Sequence, residues 1–175
     1  AKHREALADL RNHFGSGDCR FRFQFIISAA QPAGSEAGFR ADAPLLQHNV
    51  KPKMIPSTAK GKKAFTYFKR IAESPKGWAL WEASVDFFRP HQIRAHAALH
   101  EVPVMGDTLY GGAEAPIQRE LHPKKQRARL NFPSFHGLAL HLAEVQLVPG
   151  DPDTTILSKP PKHLRFLIRR MGLGE

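Results

Sequence analysis

The stretch Phe88-Arg-Pro-His-Gln-Ile-Arg-Ala-His-Ala-Ala-Leu-His-Glu-Val-Pro-Val-Met-Gly-Asp-Thr-Leu-Tyr-Gly-Gly112 joins a helix to a glycine-rich loop. Pro90 has no backbone donor to lose and a preset φ, which suits the first turn of a helix. His91 to His100 continue that helix, with Ile93, Ala97 and Leu99 as its apolar positions. The pattern stops before Pro103, and Gly106, Gly111 and Gly112 mark a loop in which Asp107 caps a turn. That loop is neither a dinucleotide fingerprint nor a P-loop, since it lacks the Lys-Ser/Thr ending and follows too short a strand.

Upstream, Ala6, Leu7, Leu10 and Phe14 share one helical face, which predicts an amphipathic helix packed on a sheet and ending near Gly15 or Gly17. From Arg20 the period changes to two. Phe21, Phe23, Phe25 and Ile27 face one way and Arg20, Arg22 and Gln24 the other, as in a half-buried strand. Pro32, Gly34 and Gly38 end it in a loop, and residues 39 to 62, mixed in Pro, Gly, Asn and Lys, read as irregular structure with a basic surface. Phe65, Tyr67 and Ile71 alternate with Thr66 and Phe68; after the turn Ser74-Pro-Lys-Gly77 the segment Trp78 to Phe87 alternates again, which predicts a hairpin. Leu138 to Val148 reads as a long strand, and Pro161 to Met171 as a basic amphipathic helix with Leu164, Leu167, Ile168 and Met171 inward. Strands outnumber helices and short turns join neighbours. The expected fold is α+β, a mixed and mostly antiparallel sheet with flanking helices, in one domain over residues 1–175.

Charge narrows the partners. Lys and Arg total 26 against 16 Asp and Glu, a net charge of +10 with neutral His, which calls for a polyanion. Nucleic acid fits better than membrane, because no apolar run approaches the ~20 residues of a spanning helix and the basic residues are dispersed along the chain. Cys19 is the single cysteine and has no partner for an internal disulfide, which suits a reducing, cytoplasmic setting. His96 and His100 stand four apart on the expected helix, a metal-ligand spacing, but Ala97 occupies the place of a zinc protease's Glu and no second ligand cluster follows. No metal is expected. The basic runs at Lys51 to Arg70 and at His122-Pro-Lys-Lys-Gln-Arg-Ala-Arg129 are either solvated faces or, with Phe and His interleaved, an RNA surface; Lys124, Lys125, Arg127 and Arg129 are the binding candidates in the second.

Taken in order, these segments resemble the RluA/RsuA family of pseudouridine synthases over nearly the whole chain. Ala43-Pro-Leu45, Lys53-Met54 and Gly61-Lys-Lys-Ala64 are similar to the family's loop before its central hairpin, and Thr66-Tyr-Phe-Lys-Arg70 to the strand that follows. His91-Gln-Ile-Arg94 with His96, and then Gly106-Asp-Thr-Leu-Tyr-Gly111, form the most diagnostic block, and Leu140-His141 opens the late strand. The resemblance implies an RNA-modifying enzyme: an aspartate attacks a uridine, the glycosidic bond breaks, and the base turns and rejoins through carbon five, with no cofactor or metal. It implies that Arg94 is the guanidinium that keeps that aspartate ionised. Arg89, His91 and Gln92 would then shape the pocket or touch the sugar-phosphate backbone at the positive end of the helix.

The family's base-stacking tyrosine corresponds to Phe23, or to Phe25 if the register moves by two; a phenylalanine keeps the stack and removes the hydroxyl. Phe88 and Pro90 stand where the family has a small Gly and a Thr or Ser. The nucleophile belongs to a His-Arg-Leu-Asp-type segment ahead of the helix that Ala1 to Phe14 matches, so it is expected upstream of Ala1, with this chain an N-terminally truncated catalytic domain. Neither Asp86 nor Asp107 lies in such a segment. The expected partner is structured RNA, ribosomal or transfer, bound by a monomer. The alternative is a catalytically silent RNA-binding or ribosome-assembly module of the same fold.

Overall fold

Phenylalanine at every second position makes Arg20–Ile27 the strand around which the rest is built. The computed structural model describes residues 3–28, 37–116 and 134–174. The basic cluster with Lys124, Lys125, Arg127 and Arg129 lies outside them. In chain order the elements are α1 (Arg4–Ser16), β1 (Arg20–Ile27), β2 (Gly38–Ala41), β3 (Leu45–Gln47), β4 (Met54–Pro56), β5 (Thr66–Glu73), β6 (Ala79–Val85), α2 (Gln92–Leu99), β7 (Leu140–Gln146), β8 (Thr155–Leu157) and α3 (Lys162–Met171). Among the described residues six strands form one sheet in the order β2-β5-β6-β1-β7-β8, each neighbouring pair antiparallel, and β3 pairs with β4 in a separate two-stranded sheet.

Among the described residues, α2 packs into the core on one face of the sheet and α3 on the other. On one side Phe21, Phe25 and Ile27 of β1 join Phe68, Trp81 and Val85 beneath Ile93 and Ala97 of α2. On the other, Ile26 and Leu80 meet Leu164, Leu167, Ile168 and Met171 of α3. This explains why Phe25, Ile26 and Ile27 are buried in succession: that end of β1 is covered on both faces, so alternation gives way to a continuous apolar run. Each such side chain contributes about 1.5–3 kcal/mol over an exposed position. Toward the strand's other end the α3-side face turns polar, where Arg22 pairs with Glu82 at 3.2 Å and with Glu144.

Three local expectations change. Helix α1 forms and ends at Gly17 with φ +87°, but its apolar face is only partly covered by the sheet: Leu7 is 39% and Phe14 43% exposed. Phe14 stacks on Phe21 at 5.4 Å, and Phe88 takes the edge of the same ring at 5.0 Å, so little of β1 is left for α1 to cover. Residues 39 to 62 are not wholly irregular, since they hold most of β2 and all of the β3–β4 pair. The alternation expected in β5 is present, with Thr66 and Phe68 inward and Tyr67 and Ile71 outward, and a register shift falls between Arg70 and Ala72. Pro90 stands just outside α2, because His91 intervenes as a cap in the left-handed region, φ 56°.

Candidate active site

Helix α2 is set at its N-terminus by side chains rather than by an acidic cap. Gln92 accepts the N–H of Arg89 at 2.9 Å and donates to the Phe65 carbonyl at 2.8 Å, and its side chain faces Thr66 Oγ1 at 3.3 Å. One turn on, His96 is fully buried between Thr66 Oγ1 at Nδ1 and the Ala43 carbonyl at Nε2, both 2.9 Å away. These contacts tie the helix to the start of β5 and to the chain before β3. Burial is the main force lowering the pKa of His96.

Between these two anchors α2 projects Arg94 toward the glycine loop. Its Nε donates to Asp107 Oδ2 at 2.6 Å and one Nη donates to Asp107 Oδ1 at 2.7 Å, a bidentate fork. The Asp107 side chain is 1% exposed and that of Arg94 15%. The hydrogen bond to Asp107, more than any other influence, raises the guanidinium pKa. The ring of Tyr110 lies 5.0 Å from the guanidinium carbon. Tyr110 Oη in turn accepts the Met54 N–H at 2.6 Å and sits 3.3 Å from His91 Nδ1. Burial, then the neighbouring Arg94, lowers the pKa of His91, so at neutral pH the helix entrance carries an uncharged imidazole.

The loop that presents Asp107 is fastened to the sheet. Met105 donates its N–H to the Ile26 carbonyl at 2.8 Å and accepts from Ala139 at 2.9 Å. Gly106 follows with φ +80°, and a Cβ there would lie 1.9 Å from the Gly137 carbonyl oxygen, so only glycine fits. Asp107 also accepts the Tyr110 N–H at 3.3 Å, the turn-capping role expected of it, and closing that turn brings both its oxygens to Arg94.

Arg94, His91, Gln92 and Arg89 thus converge on one helix entrance. Gln92, at 1% exposure and bonded internally, holds that entrance, and a direct RNA contact is not open to it. Arg89 donates its Nε to the Lys63 carbonyl at 2.9 Å and leans on Phe87, beside the exposed Lys62 and Lys63. Phe23 is half-buried and meets the edge of Phe88 at 5.5 Å, on the α2 side of the sheet; Phe25, at 1% exposure, has no face open to a base. Asp86 pairs at 3.7 Å with Arg20 instead. Among the described residues the second Nη of Arg94 has no acceptor. A fixed guanidinium with a free donor, partly withdrawn from water, can hold one further oxyanion.

Thr66, Asp107 and Tyr110 are the residues that sequence reasoning missed as parts of the site. The Asp-x-x-Tyr spacing signals a capped turn and no more; that the turn closes on Arg94 and β4 is a tertiary fact.

No family model matches the chain. Among curated proteins, it is similar to "Ribosomal large subunit pseudouridine synthase D" of Vibrio cholerae, 36% identical over 76 residues, which is 43% of this chain and 23% of that protein. The protein of the same name from Haemophilus influenzae is 33% identical over 108 residues, 61% of this chain and 33% of its own length. An uncharacterized RNA pseudouridine synthase of Synechocystis is 37% identical over 86 residues, 49% of this chain and 26% of that one. The matched segments thus span about a quarter to a third of these relatives. Among solved structures, "Human RNA Pseudouridylate Synthase Domain Containing 4" aligns with a TM-score of 0.68 at 15% identity, over 97% of this chain and 69% of that one. "Human RNA Pseudouridylate Synthase Domain Containing 1" aligns at 0.64 and 14%, over 93% and 62%. The α+β fold is therefore that of a pseudouridylate synthase domain.

Proposed function

We propose that this chain, which has the pseudouridine synthase fold and is related in sequence to the ribosomal large subunit enzymes, is the Arg94-bearing part of an RNA pseudouridine synthase. The observation that carries the reading is the Arg94 guanidinium, locked by Asp107 and Tyr110 with one Nη left to a further anion. In the proposed reaction that anion is a nucleophilic carboxylate, kept ionised by Arg94. The bond from N1 of uracil to C1′ breaks, C5 bonds to C1′ in its place, a proton leaves C5 and one is gained at N1, so no oxidant or cofactor is consumed.

Asp107 does not serve as that nucleophile: both its oxygens face Arg94 and its side chain is 1% exposed. The reading therefore takes the nucleophile from a segment ahead of Ala1. Phe23 offers the half-buried ring for the extruded base, and Arg89 with Lys62 and Lys63 a basic rim for phosphates. Ribosomal or transfer RNA in the cytosol, bound by a monomer, completes the proposal.

The test is tritium release from uridine labelled at carbon five in structured RNA, using protein expressed from the full reading frame. Conversion that falls about 100-fold or more in Arg94→Lys, with RNA affinity kept, supports the role of the fork. RNA binding without conversion by the unaltered protein would point instead to a silent binding module. Conversion by residues 1–175 alone would place the nucleophile inside this chain and sink the assignment.

A further inference from the structure

Helix α3 divides cleanly. Leu164, Leu167, Ile168 and Met171 are buried against the sheet, whereas Lys162, His163, Arg165, Phe166, Arg169 and Arg170 are all exposed. The exposed face has no acidic residue, and among the described residues no carboxylate forms an ion pair with its four Lys and Arg side chains. Lys162, Arg165, Phe166 and Arg169 line a groove, and Arg170 lies over the Phe166 ring at 5.3 Å. The cations recur at helical spacing along about 12 Å of axis. Arg169 and Arg170 stand in the last turn, where the helix dipole favours cations, but Lys162 sits at the positive end, where it is disfavoured, so intrahelical electrostatics accounts for only part of the pattern.

We propose that this face of α3 is a second RNA-binding surface, gripping phosphates of the RNA whose uridine is treated at Arg94; it rests on the function proposed above. A membrane surface fits less well, because an interfacial helix turns its apolar side outward, and here that side is consumed by the core. Since α2 and α3 lie on opposite faces of the sheet, one RNA reaches both only by passing around its edge. The surface therefore selects for RNA with tertiary extent, and a short hairpin filling the Arg94 side alone leaves it empty.

The test compares the 175-residue chain with the triple variant Lys162→Ala, Arg165→Ala, Arg169→Ala, measuring affinity across a potassium chloride series for a long structured ribosomal RNA fragment and for a short hairpin. For the long RNA the triple variant should lose about tenfold in affinity, and its salt slope should fall by about two units, given roughly 0.7–0.9 per phosphate contact. The hairpin should be unaffected, and Arg165→Lys with Arg169→Lys should keep the slope, because charge rather than shape is at stake. Equal loss for both RNAs, loss for neither, or failure of the lysine variant to keep the slope overturns the proposal. So does binding to phosphatidylserine vesicles that the alanine variant abolishes while long-RNA binding is unchanged. These readouts are independent of uridine conversion, so failure of the Arg94 assignment is seen separately.

Discussion

Both carboxylate oxygens of Asp107 are engaged by the one guanidinium of Arg94, at 2.6 and 2.7 Å, in a site where the carboxylate is 1% exposed. A buried acid in this state depends on its partner. Arg94→Ala should destabilise the chain by about 3–5 kcal/mol in urea unfolding, because it leaves an unpaired buried charge. The double variant Arg94→Met, Asp107→Leu should recover most of that loss. Equal stability of Arg94→Ala and the unaltered chain would mean that the fork does not persist in solution.

Tyr110 serves Arg94 with its ring and β4 with its hydroxyl. Tyr110→Phe keeps the ring and removes the acceptor for the Met54 N–H, so it should cost about 1–3 kcal/mol. Tyr110→Ala should cost more, since the packing beneath the guanidinium goes as well. Indistinguishable melting curves for the two variants would argue against this division of roles.

Stability should depend on pH through the two histidines of α2. Both have folded pKa values below the ordinary 6.5, by burial first. As pH falls through 6.5 the unfolded chain takes up protons that the folded chain refuses, so unfolding free energy drops until the folded values are passed. His96→Gln should flatten this part of the curve. A curve equally steep in that variant would assign the acid sensitivity to other groups.

Gly106→Ala should be among the most damaging single-methyl changes in the chain. The residue has φ +80°, and its new Cβ would stand 1.9 Å from a backbone oxygen that cannot swing aside. The strained conformation alone is worth about 1–3 kcal/mol, and the clash adds to it. Gly111 shares the positive φ but has nothing within 4 Å of its Cβ position, so Gly111→Ala should be milder. Matching melting temperatures for the two variants would contradict the contact with Gly137.

The rings of β1 should separate core from site. Phe25→Ala empties a position at 1% exposure and should cost about 3–5 kcal/mol. Phe23→Ala, at a half-buried position against Phe88, should cost distinctly less and, on the function proposed above, should lower uridine conversion by protein expressed from the full reading frame. An unchanged conversion rate in Phe23→Ala would remove that ring from the site.

Local sequence was enough to locate β1, the β5–β6 hairpin, α2 and α3, because period two or period 3.6 in apolar residues is written into the chain itself. The His91-Gln-Ile-Arg94 block and the loop at Gly106 could likewise be singled out, with Arg94 as the central side chain. Other features depend on what lies across the fold. The apolar stripe of α1 is a true periodicity that the sheet leaves largely uncovered, since, among the described residues, Phe14 meets only the Phe21 ring, which it shares with Phe88. The β3–β4 pair is three residues a side and held by long-range bonds, too short for any pattern to announce. Asp107 reads as a turn cap in the chain and becomes the partner of Arg94 only because Met105 fastens its loop to β1 while Gln92 and His96 fasten α2 to β5. The chemistry-bearing residues were set by the sequence alone; their pairing was decided by tertiary structure, because a bidentate contact between residues on separate elements exists only when both backbones are held in place.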